Sequence, residues 1–201
     1  MEQYSRGRRG RPAKALGRVT GAEVQILSAP PLRNETLLKG FSFIVKHEVN
    51  DMYSWIYQSI IGPLCLVEED QVLIECSFSS VPKGILKETI FLKRVIGELE
   101  EYFSNTRKDF TIPIQISGTN FQKQVYNALL SIPYGETRTY KEVAMTIGNE
   151  KASRAVGMAN HNNPLALFVP CHRVIGAKGS LVGYAGGLDK KEILLKLEQK
   201  K

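Results

Sequence analysis

The feature that most constrains this chain is a cysteine placed directly after a continuous apolar run. Residues 165–169 are all apolar, and Pro170 fixes the backbone before Cys171. His172 and Arg173 follow. The run predicts a buried strand with the sulfur at its end. Because the thiolate is the nucleophilic form of cysteine and basic neighbours favour it, Cys-His-Arg predicts an activated sulfur.

A buried structural cysteine is the alternative interpretation of the same residues. Free cysteine is among the residues most often found in protein cores. A histidine beside it can simply satisfy a backbone carbonyl. The pair alone does not separate these two possibilities, so the surrounding sequence has to decide.

Five ordered motifs occupy the second half of the chain. They are Phe-Gln-Lys-Gln-Val-Tyr at 121–126, Ile-Pro-Tyr-Gly-Glu-Thr at 132–137, Lys-Ala-Ser-Arg-Ala-Val-Gly at 151–157, the cysteine stretch at 163–174, and Gly-Tyr-Ala-Gly-Gly-Leu at 183–188. In sequence and order they resemble the O6-alkylguanine-DNA alkyltransferases, also called methylated-DNA–protein-cysteine methyltransferases. The resemblance spans about half the chain, from near residue 98 to near residue 198, and its centre is Pro-Cys-His-Arg-Val.

The resemblance implies a fold of the α+β class. We expect a ribonuclease-H-like α/β domain at residues 19–117, preceded by a disordered, AT-hook-like basic arm at residues 1–18. A mostly helical catalytic domain with a winged helix-turn-helix should follow at residues 118–201. The first domain rests on fold analogy, and it need do no more than support its neighbour.

The hydrophobic pattern agrees with this division. Residues 41–47 predict a first strand, and residues 62–67 and 72–78 predict a hairpin across a short polar turn. Apolar side chains at helical spacing predict a helix at about residues 87–103. Strands followed by a packed helix fit the expected N-terminal domain.

Three helices can be placed after residue 118. One covers residues 119–131, and Thr139 with Glu142 forms a capping-box pattern that begins the second. A short third helix is predicted at residues 151–160 after a glycine turn, which completes a helix-turn-helix. Its small residues would permit close approach of a nucleic-acid backbone. On pattern alone, two packed helices of this kind usually belong only to the core.

The basic character of the chain sits mainly in its first 18 residues. They hold six basic side chains and one acidic one, a local charge of +5 out of +7. With few large apolar side chains, the arm is predicted to be disordered. Residues 9–12, Arg-Gly-Arg-Pro, are similar to the core of an AT-hook, which places arginines in the narrow minor groove of A·T-rich DNA. A solvated tail or a nuclear localisation signal remains the alternative.

Cysteine count and apolar run lengths exclude several other classes. Cys65, Cys76 and Cys171 are odd in number and widely spaced, which argues against a disulfide framework. Neither Cys65 nor Cys76 has the spacing of a zinc ligand set, and His47 alone does not make one, so no metal and no cofactor are expected. No apolar run is long enough to cross a membrane. The predicted location is the nucleus, or the cytoplasm and nucleoid in a prokaryote.

The resemblance assigns roles to four catalytic side chains. Cys171 matches the nucleophile that accepts the alkyl group, and His172 matches the base that takes its proton through a water. Glu198 matches the carboxylate that orients this histidine, although a charged residue so near the end of the sequence is more often solvated. Tyr140 matches the hydroxyl that donates a proton to N3 of guanine. The first three follow the logic of a catalytic triad.

The same resemblance implies how guanine is held. Asn163 matches the residue that braces the turn before the cysteine. The carbonyls of Cys171 and Val174 should face the exocyclic amine, the amide of Ala185 should face O6, and Tyr184 should pack on the base. Glycines on both sides of this Tyr-Ala pair suggest a loop whose backbone lies against the ligand.

The predicted DNA contacts come from two places. The second helix of the helix-turn-helix should enter the minor groove through Ala152, Ser153 and Arg154, and Arg154 matches the residue that fills the space left by an extruded guanine. Extrusion is required because a buried thiol cannot reach a base inside the stack. A surface phosphate contact is the alternative for Arg154. Arg9 and Arg11 in the arm are the other predicted contacts.

Two functions of different classes follow from the resemblance. The first is stoichiometric repair, in which a monomer acts on double-stranded DNA and transfers an alkyl group from O6-alkylguanine to its own Cys171. The second is a non-catalytic alkylated-DNA-binding protein of the alkyltransferase-like type, in which another residue replaces the cysteine. The presence of Cys171 favours the first.

Overall fold

The computed structural model describes residues 51–199, which belong to a unit spanning Val45–Lys201. The basic arm, with Arg9 and Arg11, and the strand predicted at residues 41–47 lie outside the described residues, so these stay predictions. Within the described part, a small sheet comes first and most of the helices follow. This is the α+β architecture predicted from the sequence.

A four-stranded sheet with the order β3-β2-β1-β4 forms the first half. The strands are β1 (Tyr53–Ser59), β2 (Gly62–Glu69), β3 (Val72–Ser77) and β4 (Ile85–Leu86). β2 is antiparallel to β1 and β3, and β4 is parallel to β1. Asp70 and Gln71, with φ of 51° and 60°, form the two-residue turn between β2 and β3. Positive φ at both positions suits the twist of a tight hairpin, and the predicted hairpin is confirmed.

One long helix, α1 (Ile90–Phe103), packs on this sheet. It begins later than the predicted residue 87 because Thr89 is its N-cap, with the side-chain hydroxyl accepting from the amide of Leu92 at 3.1 Å. The helix places four fully buried side chains in the core, Leu92, Val95, Leu99 and Tyr102. Tyr102 reaches beyond the sheet and contacts residues of the second half.

The second half consists mainly of helices around a minimal sheet. The elements are α2 (Asn120–Leu130), β5 (Arg138–Thr139), α3 (Tyr140–Thr146), α4 (Ser153–His161), β6 (Val174–Ile175) and α5 (Leu188–Gln199). α2 and α3 both begin with a complete capping box, built on Thr119 and Thr139. β5 and β6 form a two-stranded parallel sheet. No helix within residues 51–199 is long and apolar enough to span a membrane.

The predicted helix-turn-helix is formed by α3 and α4. α3 ends at Thr146, Ile147 is its C-cap, and Gly148 follows with φ of 74°. The second helix starts two residues later than predicted, because Glu150–Ala152 forms a separate 3-10 turn without a side-chain cap. This turn buries Ala152, whereas Ser153 is partly exposed and Arg154 is exposed on α4.

The strand predicted at residues 165–169 is wrong. These residues form a tight turn in which the amide of Val169 donates to the carbonyl of Leu165 at 2.8 Å, and Leu167 has φ of 73°. All five are buried. A run that is buried on every side lacks the alternation that distinguishes a strand, so composition could not show the turn.

The sheet holds this turn directly. The amide of Cys76 in β3 donates to the carbonyl of Pro164 at 2.8 Å, and the amide of Ala166 donates back to the carbonyl of Cys76 at 2.9 Å. The edge strand β3 therefore pairs with the segment before Cys171 through a parallel bridge. The N-terminal sheet thus fixes the backbone that leads to the cysteine.

Candidate active site

Cys171 begins a buried 3-10 turn, Cys171–Arg173, and is only 4% exposed. The side-chain amide of Asn163 donates to its Sγ at 3.2 Å and to the carbonyl of Val169 at 2.8 Å. Its oxygen accepts from the amide of Leu165 at 3.1 Å. One asparagine therefore ties both ends of the turn together and also touches the sulfur.

The pKa of Cys171 indicates a thiol at neutral pH, so its activation depends on a base that removes the proton. Burial raises the pKa of Cys171 above its ordinary value of 9.0, and this outweighs the opposite effects of Asn163, Lys191 and nearby backbone amides. Arg173 does not supply the expected positive charge to the sulfur, because its guanidinium is paired with Glu198. The proton must therefore be removed as part of a reaction.

His172 and Glu198 form a fully buried pair. Nε2 of His172 lies 2.8 Å from Oε1 of Glu198, and neither side chain is exposed. Burial lowers the pKa of His172 and outweighs the carboxylate, so the imidazole is neutral at neutral pH. A neutral ring that donates from Nε2 carries an unprotonated Nδ1, and this atom has no hydrogen-bond partner within residues 51–199. The histidine thus has a free basic nitrogen.

Glu198 is the centre of a larger network than the sequence indicated. Arg173 donates to it from Nε at 2.9 Å and from a terminal nitrogen at 3.0 Å, and Tyr102 donates its hydroxyl at 2.7 Å. The amide of Gly135 adds a bond at 3.1 Å. Burial alone would raise the pKa of this carboxyl, but the hydrogen bonds from His172 and Arg173, together with the charge of Arg173, lower it to about 2.

Lys191 is a buried cation that sequence reasoning missed. Its residue is 0% exposed, and Nζ donates to the carbonyls of Val174 at 2.6 Å and Val182 at 2.9 Å. Burial lowers its pKa to about 8, and Cys171 acts in the opposite direction. A signal existed in the sequence: Lys191, Leu194 and Glu198 occupy one face of α5 at spacings of three and four residues.

Tyr140 lies at the start of α3, against the loop that precedes α5. Its hydroxyl is within hydrogen-bonding distance of the carbonyls of Val182, at 3.0 Å, and Gly183, at 3.2 Å. Burial, and then the sulfur of Cys171, raises the pKa of the phenol, so it carries its proton at neutral pH. With Ser153, Arg154 and Met158 it lines a shallow surface cavity of about 520 Å³.

A second cavity, of about 380 Å³, is lined in part by Cys171. Its volume lies within the range of about 300–1,000 Å³ typical of small-molecule sites. Cys171, Asn163, Tyr184 and Ala185 form one part of its lining, so four of the predicted site residues meet here. Other lining residues come from the end of α4, from the segment that follows it, and from the N-terminal half. Those contributions were not predicted.

The ring of Tyr184 is held by the N-terminal half. It meets Phe78 edge to face, with ring centroids 5.5 Å apart. Gly186 lies so close that a Cβ there would be 2.6 Å from the ring of Phe78. Glycine is therefore required at this position by close approach to an aromatic ring.

The structure also places the remaining predicted residues. Val174 is buried, and its carbonyl faces the ammonium of Lys191. Cys65 and Cys76 are buried free thiols. Within residues 51–199, no three His, Cys, Asp or Glu side chains are grouped so that they could hold a metal ion.

The chain matches two family models that together cover nearly all of the described residues. Residues 52–116 match the ribonuclease-like domain of 6-O-methylguanine DNA methyltransferase, and residues 120–200 match its DNA-binding domain. Among curated relatives, the methylated-DNA–protein-cysteine methyltransferase of Methanosarcina acetivorans is 51% identical over 153 residues, 73% of this chain and 98% of the relative. The enzyme of the same name from Mycobacterium leprae is 45% identical over 146 residues, 70% of this chain and 88% of the relative.

Solved structures give the same result. The crystal structure of Mycobacterium tuberculosis OGT in complex with DNA matches with a TM-score of 0.67 and 41% identity, covering 73% of this chain and 92% of that chain. The crystal structure of Mycobacterium tuberculosis O6-methylguanine methyltransferase matches with a TM-score of 0.66 and 40% identity, covering 74% and 93%.

Proposed function

This chain belongs to the methylated-DNA–protein-cysteine methyltransferase family, and from that premise we propose that it repairs DNA by transferring the alkyl group of O6-alkylguanine to Sγ of its own Cys171. The observation that carries the proposal is a cavity lined by Cys171, whose neighbour His172 forms a buried pair with Glu198. The cavity can hold a ligand, and the pair can accept a proton.

The chemical step is a displacement at the alkyl carbon. His172 takes the proton of Cys171 at Nδ1, across one water as in the family, and Glu198 stabilises the imidazolium that forms. The sulfur then bonds to carbon, the bond from carbon to O6 breaks, and its electron pair stays on the purine. Tyr140 supplies a proton to the ring and recovers one from the histidine afterwards. Overall, the hydrogen of the thiol is exchanged for the alkyl group.

The pKa shifts of Cys171, His172 and Tyr140 suit these roles. A thiol that keeps its proton needs a neutral base nearby, and the lowered pKa of His172 keeps the imidazole neutral. A phenol with a raised pKa still has a proton to donate at neutral pH. The product is a thioether, which does not hydrolyse, so each molecule is expected to act once.

Access to the base requires that guanine leave the duplex. We propose that α4 approaches the minor groove and that the exposed Arg154 occupies the vacated space. The position of Arg154 beside the surface cavity that also contains Tyr140 supports this. If Arg154 only contacted a phosphate, its removal would weaken binding without slowing the repair of duplex relative to the free base.

The basic arm is proposed to add non-specific affinity for DNA through Arg9 and Arg11. This part rests on the sequence alone. Deletion of residues 1–18 should weaken binding and reduce the salt dependence of the affinity. An unchanged salt slope would argue against an AT-hook.

The test of the proposed function is intact-protein mass after mixing with a duplex that contains O6-methylguanine. One transferred methyl group per molecule is expected, and a Cys171→Ala variant should gain none. A Cys65→Ala variant, which removes another buried thiol, is the matched control and should still be methylated. Tight binding of the lesion without any change in mass would instead favour the non-catalytic alternative.

A further inference from the structure

Asn160 is a buried amide without a partner at the wall of the proposed alkyl-transfer cavity. It lies on α4, is 4% exposed, and lines the same cavity as Cys171. Neither Nδ2 nor Oδ1 has a hydrogen-bond partner within residues 51–199. Because more than nine in ten buried polar groups are paired in native proteins, such an amide calls for a ligand or a water.

A second residue that lines this cavity, Tyr184, also carries an unpaired polar atom. The hydroxyl of Tyr184 is buried and also lacks a partner among the described residues. Among the described residues that line this cavity, Asn160 and Tyr184 are thus the two whose buried polar atoms lack a hydrogen-bond partner. Polar groups left open in this way favour a substituent that can both donate and accept hydrogen bonds.

The charges in the lining are already balanced. Lys83 and Glu75, both from the N-terminal half, form an ion pair of 2.6 Å, and Ser77 donates to the same carboxylate. No net charge therefore remains to attract a carboxylate-bearing alkyl group. A neutral hydroxyl suits the cavity better, since the amide of Asn160 offers both an acceptor oxygen and a donor nitrogen.

We propose that Asn160 is a specificity-determining residue that binds the hydroxyl of a 2-hydroxyalkyl group on O6 of guanine. This rests on the proposed function and extends it to a substrate class. The sulfur of Cys171 bonds to the carbon attached to O6, that carbon–oxygen bond breaks, and guanine leaves. The hydroxyl is not consumed and stays on the resulting thioether.

The experiment compares single-turnover repair of duplexes that carry O6-(2-hydroxyethyl)guanine or O6-propylguanine. The two alkyl groups have almost the same size, but the first ends in a hydroxyl and the second in a methyl. The measured quantity is the ratio of the two rate constants, so that any general loss of rate cancels. Asn160→Leu, close in shape but apolar, should lower this ratio about three- to tenfold, the worth of one hydrogen bond.

Controls separate the possible causes. Asn127→Leu makes the same change at an exposed position of α2 and should leave the ratio as in the unmodified protein. Asn160→Ala serves as a second variant if leucine impairs folding, and thermal melting checks both. A ratio that changes less than twofold in Asn160→Leu and Asn160→Ala would overturn the inference and leave the amide to a structural water. Failure of the unmodified protein to take up methyl from O6-methylguanine would instead overturn the proposed function.

Discussion

Replacement of Glu198 by glutamine should be among the most damaging single changes in the site. The carboxylate accepts bonds from Tyr102, His172, Arg173 and the amide of Gly135, all within 3.1 Å. A pKa lowered from 4.5 to about 2 corresponds to about 3 kcal/mol of stabilisation of the charged form in the folded protein. The fully buried side chain needs no discount for exposure to solvent.

The variant keeps the size of Glu198 and removes its charge. Arg173, only 7% exposed, then lacks its ionic partner, which by itself costs about 3–5 kcal/mol in comparable buried pairs. These two figures describe the same interaction and are not added. At pH 7 we expect the free energy of unfolding to fall by about 3 kcal/mol.

The pH dependence has a definite sign. The folded-state pKa of Glu198 lies below the unfolded value, so its stabilisation is complete above about pH 4.5 and is lost as the pH falls toward 2. The difference between the two proteins should therefore be constant between pH 5 and 7. It should shrink below pH 4.5, as the carboxyl becomes protonated in the unfolded chain, and should disappear below about pH 2, where Glu198 is neutral in the folded protein as well.

Urea denaturation at several pH values measures this difference. The matched control is Glu192→Gln on the same helix, where Glu192 forms an exposed i,i+4 pair with Lys196. That change should cost less than about 1 kcal/mol. If Glu198→Gln were no more destabilising than Glu192→Gln at pH 7, or if its effect persisted unchanged to pH 3, the carboxylate would not be the anion that the structure indicates.

Three further predictions concern other parts of the site. Lys191→Met should raise the pKa of the Cys171 thiol and slow its alkylation by iodoacetamide at a fixed pH, and an unchanged pH profile would exclude charge coupling between them. Gly135→Ala should lower the free energy of unfolding, measured in urea, by about 1–3 kcal/mol. The reason is that φ is 77° and the new Cβ would lie 2.9 Å from the carbonyl oxygen of Glu198. An effect below about 0.5 kcal/mol would contradict this. Tyr140→Phe should slow methyl transfer about 10²-fold or more in single-turnover assays, and an equal rate would remove the phenol as proton donor.

Local signals allowed the sequence to predict much of the fold. Thr139 with Glu142 marks a helix start through atoms only three residues apart, and the capping box is present in the structure. The hairpin of β2 and β3 follows from two apolar runs around a short polar turn. Features of this kind depend on residues that are close in the chain, so the sequence pattern is sufficient to predict them.

Elements decided by tertiary contacts could not be predicted in the same way. β1 mixes buried Ser54 with partly exposed aromatic residues and shows no alternation. Residues 165–169 look like a strand because every side chain is buried, but the bonds to Cys76 hold them as a turn. Their conformation depends on a strand almost 90 residues earlier in the sequence.

In the site, too, local features could be predicted from the sequence and tertiary contacts could not. Cys171 and His172 could be identified from a local motif, but the partner of Arg173 could not. Arginine beside cysteine suggests an activating charge, yet its guanidinium turns to Glu198, which is 25 residues later and buried by α5. The cation that favours the thiolate is Lys191, on the same helix face. Only the packing of α5 shows that Arg173 pairs with Glu198 and that Lys191 is the cation that stabilises the thiolate of Cys171.

The raised pKa of Cys171 has a use in a protein that reacts once. A permanently ionised thiolate would react with many electrophiles, and each such event would consume the molecule without repairing DNA. Burial keeps the sulfur protonated, while His172 supplies the base and Lys191 and Asn163 favour the anion once the proton leaves. Reactivity then depends on an alkyl group delivered into the cavity beside the base. The features that lower the intrinsic reactivity of the thiol therefore increase the fraction of molecules that is spent on the lesion.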